Sequence, residues 1–267
     1  MISCQDIQDN LYSLYGDLAV SGLVDSGTAG GCRYIRHVAS AWPNMVYPGG
    51  TGSGEGSAGG TGSGKGLVGG PVDIAALVEA VKAGNCPRLV LLEGRMVTED
   101  VVKEMNTFRF LPAAQWINMM TALDGEERHG SGKLECRTVD ARNPEEWKNW
   151  SNVAENVLFK KEKLAADLFR YGCEKGLFTL LTGYSGGQPV STALLYTGRL
   201  AGVYMVATLP SFQGKGLASE LMRFTGSVAA AAGYSDLVLH STKPGVRLYE
   251  GLGYQPKGEL LLYYCMA

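Results

Sequence analysis

The residues best suited to chemistry lie between Val203 and Ala218. There an apolar run, Val203–Thr208, meets Pro210 and passes through Gln213, Gly214, Lys215 and Gly216 into Leu217 and Ala218. A strand that turns through glycines into a helix leaves the unpaired N–H groups and the positive dipole end of that helix converging on one point, which is where an anion binds. Gly214 and Gly216 remove the side chains that would keep backbone away from a pyrophosphate, and Ala218 keeps the first helical turn slim. A second glycine pattern is a decoy. Gly59, Gly64 and Lys65 begin the phosphate-cradling motif GxxxxGK[ST], but Gly66 stands where the magnesium-binding hydroxyl is required. Gly/Ser repeats precede it instead of a buried strand, so nucleotide binding is not expected there.

The elements that must position the first loop are readable on both sides of it. Leu177–Tyr184, Pro189–Tyr196 and Gly202–Thr208 read as three strands, broken by Ser185, Gly186 and Gly187 and then by Thr197 and Gly198. These breaks are hairpin chemistry and predict antiparallel neighbours. Leu217, Leu221, Met222 and Phe224 give the following helix a core face, Leu237–His240 reads as the next strand, and Glu259–Cys265 as the last. Upstream, Leu134–Val139 alternates like a strand. Asn143 caps a helix with Pro144 in its first turn and Glu146 reaching back, and Trp147, Trp150, Val153, Ala154 and Val157 form its core stripe. Lys161–Tyr171 reads as a second helix closed by Gly172.

The N-terminal half reads as a small α/β unit. Ile7–Leu18 is amphipathic, and Cys32–Val46 has no clean period. Ile74, Leu77, Val78 and Val81 recur at helical spacing before Gly84 and Asn85, Arg88–Leu92 is a short strand, Thr98 caps a further helix, and Gln115–Leu123 is a strand. Two segments stand apart from the elements: a flexible Gly/Ser tract at 49–70, natural or engineered, and a polar connection at Gly125–Lys133 that divides an N-terminal lobe (1–125) from a C-terminal domain (134–267).

Composition narrows the function classes. The chain has 267 residues, is 45% hydrophobic and 19% charged, and its 24 basic against 26 acidic side chains leave a formal charge of -2. That balance is globular and offers no basic block for nucleic acid or anionic lipid; no run is long enough to cross a bilayer, so a soluble, cytoplasmic protein is expected. The six cysteines form no CxxC pair and have no close histidine partner, so reduced thiols and no metal site are expected.

The pattern Gln213-x-x-Gly216-x-Ala218 resembles the [QR]xxGx[GA] pyrophosphate loop of the GNAT acyltransferases. The likeness extends through Val203–Ala207 and through Arg247, Leu248, Tyr249, Gly251, Leu252, Gly253 and Tyr254, which resemble the family's LYxxxGF ending. It covers nearly all of 134–267. It implies a mixed, largely antiparallel central sheet flanked by helices (α/β, in the α+β sense), and transfer of an acyl group, acetyl above all, from acetyl-CoA to a primary amine of a small molecule or protein. By the same resemblance Gln213, Gly214, Lys215, Gly216, Leu217 and Ala218 hold the pyrophosphate, and Val206 and Ala207 lie along the pantetheine arm, with the N–H near Val206 on the thioester carbonyl. Tyr249 is the acid for the departing thiolate, and Thr242 stands where the family usually has Asn. Glu135, Glu174, Asp236 and Glu250 are all open as general base. The run Trp42–Asn44 and the helix–strand pattern after it faintly resemble a degenerate first lobe of tandem GNAT proteins, with Trp42 a core or interface anchor. Two rival functions remain: a non-catalytic acyl-CoA-binding module, and a tRNA-dependent peptidyltransferase, which would show basic surface that this chain lacks.

Overall fold

The computed structural model describes residues 2–49, 71–123 and 132–267. The decoy glycine motif, all of the Gly/Ser tract but Gly49, and most of the connection drawn at 125–133 lie outside the described residues. Local signals account for most helices. In α1 (Cys4–Ala19), Ser3 and Asp6 form a reciprocal capping box; Asp73 caps α2 (Ile74–Lys82) and Thr98 caps α3 (Glu99–Thr107). Asn143 caps α4 (Pro144–Leu158) through the N–H groups of Glu145 and Glu146.

The helix expected over Lys161–Tyr171 is instead α5 (Ala166–Glu174). Lys160 and Lys161 adopt left-handed φ of 49° and 72°, which breaks the helical path before it starts. Buried Glu155 then fixes the connecting loop, accepting from the Leu164 N–H at 3.0 Å and pairing with Lys163 at 2.7 Å. Gly172 is not the stop; it sits inside α5, where a Cβ would come within 2.2 Å of the Phe178 ring.

Among the described residues eleven strands make one sheet: β1 (Asp25–Ala29), β2 (Cys32–Arg36), β3 (Asn44–Tyr47), β4 (Leu89–Glu93), β5 (Phe110–Ala122), β6 (Glu135–Thr138), β7 (Phe178–Ser185), β8 (Gln188–Thr197), β9 (Ala201–Thr208), β10 (Asp236–Thr242) and β11 (Gln255–Cys265). Their order is β1-β2-β3-β4-β11-β5-β10-β9-β8-β7-β6. The aperiodic stretch at Cys32–Val46 thus contains β2 and most of β3, and the strand expected at Gln115–Leu123 begins earlier, at Phe110. The sheet repeats itself about the β11–β5 junction. The first half runs three antiparallel strands, β1–β3, and the second four, β6–β9; each then continues with a helix, a strand parallel to the last of these, a second helix and a final strand. The last strands are exchanged: β5 pairs with β10 of the other half, and β11 with β4.

One face of the sheet carries α1, α4 and α5 over a cluster built on Tyr15, Trp150, Phe169, Leu194 and Leu260. Trp42 packs there against Tyr15 and Phe169, so it is an anchor of the core. On the other face, α2 and α3 cover one cluster, into which Cys32, Cys86 and Cys265 are packed. The other cluster, beneath α6 (Leu217–Ala231) and α7 (Val246–Glu250), includes Leu217, Leu221, Leu239 and Tyr249. Helix α1 crosses from the N-terminal half onto β9. Asn10 donates to the Leu200 carbonyl at 2.8 Å and accepts from the Tyr204 hydroxyl at 2.6 Å. Gly202 permits this approach, since a Cβ there would meet the Asn10 oxygen at 2.1 Å. No helix among the described residues is long and apolar enough to cross a membrane.

Candidate functional site

The cleft arises because β9 and β10 are parallel neighbours for only part of their length. They pair at Ala201–Leu237, Gly202–Val238 and Val203–Leu239, after which β9 runs on to Thr208 and β10 to Thr242 without pairing. The cause lies in β9. Its register with β8 shifts between Thr192 and Leu194, placing Met205 and Val206 opposite Ala193, and Met205 has a φ of 50°. A bulge with a non-glycine residue in the left-handed region bends a strand away from its neighbour and exposes backbone groups. Buried hydroxyls of β8 hold the bent segment: Thr192 donates to the Met205 carbonyl at 3.2 Å and Ser191 to the Ala207 carbonyl at 2.9 Å. Tyr204, Met205 and Val206 are half-buried, whereas Ala207 and Thr208 are buried.

The glycine loop stands at the end of β9. A short 3-10 turn at Pro210–Phe212 leads to Gln213, whose side-chain amide donates to the Thr208 carbonyl at 2.9 Å and ties the loop to the strand. Gly214 and Gly216 have φ of 72° and 81°, and a Cβ on either would meet nothing within 4 Å. Gly216 is the N-cap of α6 and brings no side chain to the N–H groups of the first turn. The loop therefore presents open space, free backbone donors and the positive end of a fifteen-residue helix, a fit for a pyrophosphate. Lys215 lies over the Phe212 ring at 4.9 Å and donates to the Ser211 carbonyl, so its charge stays beside the loop. Leu217 is buried beneath the helix and Ala218 is half-buried.

Tyr249 comes from α7, on the far side of β10. It is buried, contacts the Tyr254 ring edge-on at 5.6 Å, and burial pushes its phenol up to about 12, so it is a proton donor throughout the neutral range. Gly245 sits among Ser241, Thr242 and Tyr249: an added Cβ would be 2.8 Å from the Ser241 hydroxyl and 3.4 Å from the Tyr249 ring. Thr242 ends β10, exposed, opposite Trp116 of β5.

The carboxylates considered as bases are not brought to the cleft. Glu135 is on the outermost strand paired with Arg137, Glu174 and Glu250 are exposed at helix ends, and Asp236 begins β10 beside Ser235. The residue that sequence reasoning missed is His240. It stands on β10 one residue past the last pair with β9, flanked by the rings of Trp116 at 6.3 Å and Tyr204 at 6.0 Å. Its Nδ1 is 2.7 Å from Asn118 Oδ1. The signal was present in the sequence as one imidazole closing the apolar run Leu237–Leu239.

Comparison with known proteins agrees with this geometry. Residues 177–256 match the family model described as an acetyltransferase (GNAT) domain. No curated protein matches the sequence. Among solved structures, a GCN5-related N-acetyltransferase from Kribbella flavida is similar with a TM-score of 0.67 and 16% identity over 100% of this chain and 97% of that one. A Drosophila protein is similar at a TM-score of 0.56 and 12% identity over 97% and 89% of the two chains. A conserved protein of unknown function from Staphylococcus epidermidis follows at 0.55 and 11% over 71% and 79%. Identities this low speak for the fold alone, and that fold extends over the N-terminal half. Residues 177–256 thus match a GNAT acetyltransferase domain model within a chain whose fold is similar to that of a GCN5-related N-acetyltransferase.

Proposed function

We propose that the protein is an N-acyltransferase that moves an acyl group, acetyl first among candidates, from acyl-CoA to a primary amine in the cytoplasm. The observation that carries this reading is the parting of β9 from β10 after three residue pairs, with the open glycine loop at the end of the longer edge. The free N–H groups of Gly214, Gly216 and Leu217 would bind the pyrophosphate. The freed edge of β9 near Val206 and Ala207 would hydrogen-bond the pantetheine amides and turn one N–H toward the thioester carbonyl, where negative charge develops as the amine attacks. Thr242 and Ser241 line the opposite edge.

Tyr249 would donate to the sulfur as the C–S bond breaks. A phenol at about 12 is a weaker acid than an ordinary thiol near 8.5, so full transfer before bond breaking is uphill. The same burial that raises the phenol also destabilises a thiolate released beside it. The proton therefore passes late, as charge builds on sulfur.

The test is thermal unfolding with acetyl-CoA, CoA and Mg-ATP, followed by CoA release with an amine panel. Stabilisation by both CoA species and not by Mg-ATP, with CoA released when an amine is added, is the expected result. Stabilisation without release from any amine would make the protein a binding module, and no response to either CoA species would remove the reading altogether.

A further inference from the structure

The imidazole at the parting of β9 and β10 is set up to receive a hydrogen bond. Asn118 donates through Nδ2 to Cys4 Sγ at 3.3 Å, which leaves its Oδ1 to accept from His240 Nδ1–H. The tautomer is then fixed, with the lone pair on Nε2. That nitrogen is buried and has no hydrogen-bond partner among the described residues. A buried acceptor left unpaired is costly in a folded protein, and such sites mark places where a ligand completes the bonding. Because Nδ1 is held by Asn118 on β5, Nε2, at the other side of the ring, points away from that strand. The Tyr204 hydroxyl cannot satisfy it, being committed to Asn10.

The surroundings are aromatic and uncharged. The groups beside the ring are Trp116 and Asn118 from β5 and Tyr204 from β9, with Trp116 and Tyr204 half-exposed, and the Cys4 thiol of α1 stands behind Asn118. Burial alone depresses the imidazole, to about 3, and no charged neighbour contributes to that shift. Such a base cannot take a proton from an alkylammonium group near 10, a transfer uphill by about ten-million-fold. It can hold an amine that arrives neutral, and it can take the far more acidic proton that the nitrogen carries once bonded to carbonyl carbon.

We propose that His240 is the amine-binding residue of the site, accepting through Nε2 a hydrogen bond from a weakly basic acceptor, an aromatic amine or a hydrazine, seated between Trp116 and Tyr204. This rests on the acyltransferase reading above. The amine nitrogen forms a bond to the thioester carbonyl carbon as the C–S bond breaks. One amine proton goes to His240 Nε2, the sulfur takes one from Tyr249, and exchange of both side chains with water restores them, leaving amide and free CoA thiol.

The experiment compares aniline with benzylamine as acceptors of acetyl from acetyl-CoA, as kcat/KM from pH 6 to 9, in the intact chain and in His240→Phe. In the unaltered protein aniline should be acetylated at a rate flat across that range. Benzylamine should be the poorer acceptor at pH 7 and gain about tenfold per pH unit, following its neutral fraction. His240→Phe keeps a ring and removes the lone pair; it should lower kcat/KM for aniline about 100-fold while KM for acetyl-CoA changes less than twofold. The inference is overturned if acetyl-CoA binds and aniline is not acetylated, if benzylamine is preferred at pH 7, or if His240→Phe keeps full aniline activity. In each of these cases acetyl-CoA binding still stands and the acyltransferase reading is untouched. Failure of the unaltered protein to bind acetyl-CoA is the different result that sinks both. The pH comparison uses the unaltered protein, so it decides even where the variant does not fold.

Discussion

Gly216→Leu separates what the glycine does for the fold from what it does for a ligand. At a φ of 81° a leucine would be forced into the left-handed region, while its Cβ would meet no protein atom within 4 Å. The cost to stability is then backbone strain alone, about 1–2 kcal/mol. With about 2.1 cal/mol/K of unfolding entropy per residue over 267 residues, that is a loss of about 2–4 °C in Tm. Gly84, at 73° and with equally open space, is the matched control far from the cleft, and Gly84→Leu should fall by a similar amount. The ligand response should divide them. CoA at about 100 times its Kd adds about 2.7 kcal/mol, or about 5 °C by the same entropy. If the leucine side chain fills the pyrophosphate position and weakens binding 100-fold, the same CoA concentration adds only about 0.4 kcal/mol, under about 1 °C. Scanning fluorimetry of both variants with and without CoA reads all four numbers. An intact CoA shift in Gly216→Leu would refute the loop assignment, whatever its stability.

Tyr249→Phe should lower kcat about 10- to 100-fold with acetyl-CoA affinity unchanged, since it removes one late hydrogen bond to sulfur; the unaltered enzyme should show no falling limb from this phenol below about pH 11, because burial carries it to about 12. Stability should fall in acid partly through His240: its folded value of about 3 lies below the unfolded 6.5, so the unfolded chain binds the extra proton between them and the loss grows as pH drops through that window, by at most about 1.4 kcal/mol per unit. Urea denaturation from pH 7 to 4 should find that dependence shallower in His240→Phe. Glu155→Leu should cost about 1–3 kcal/mol, because the Leu164 N–H loses its acceptor inside the protein, with Glu155→Gln closer to the parent; equal Tm values for the three proteins would argue against that anchoring.

Legibility followed the range of the physics. Helices with polar caps announced themselves, because Asn143 and Thr98 act within one turn of their own backbone. The hairpins β7–β8 and β8–β9 were equally plain, with Gly186 and Gly187 in the left-handed conformation that a two-residue turn demands. Residues 32–47 were opaque because β2 and β3 are short and β3 is buried at three successive positions, so neither shows a period of two. The left-handed Lys160 and Lys161 were invisible, since nothing local favours that conformation in lysine. In the site, the loop was readable from glycines because its chemistry is backbone chemistry. The proposed amine side was not: His240 acquires its tautomer from Asn118 on β5, a product of strand order, and its unpaired nitrogen shows only in the fold.

Strand order also decides whether the C-terminal half can stand alone. Residues 134–267 hold every position assigned by the resembling motif, which suggests an autonomous unit. Yet β5, from the first half, lies between β10 and β11, matched over seven residue pairs with the one and ten with the other, and β11 continues onto β4 through five more. Without the first half, β10 and β11 would each present an open edge, the apolar faces under α1 would be bare, and His240 would lose Asn118. The exchange makes the cleft a joint product: one half brings the glycine loop and Tyr249, the other brings Trp116 and Asn118. We therefore expect residues 134–267 produced alone to aggregate or to unfold without cooperativity, and to regain a cooperative, CoA-responsive transition when refolded with residues 2–123. Cooperative unfolding and a full CoA shift from 134–267 alone would show that the exchanged strands decorate a complete domain and do not build it.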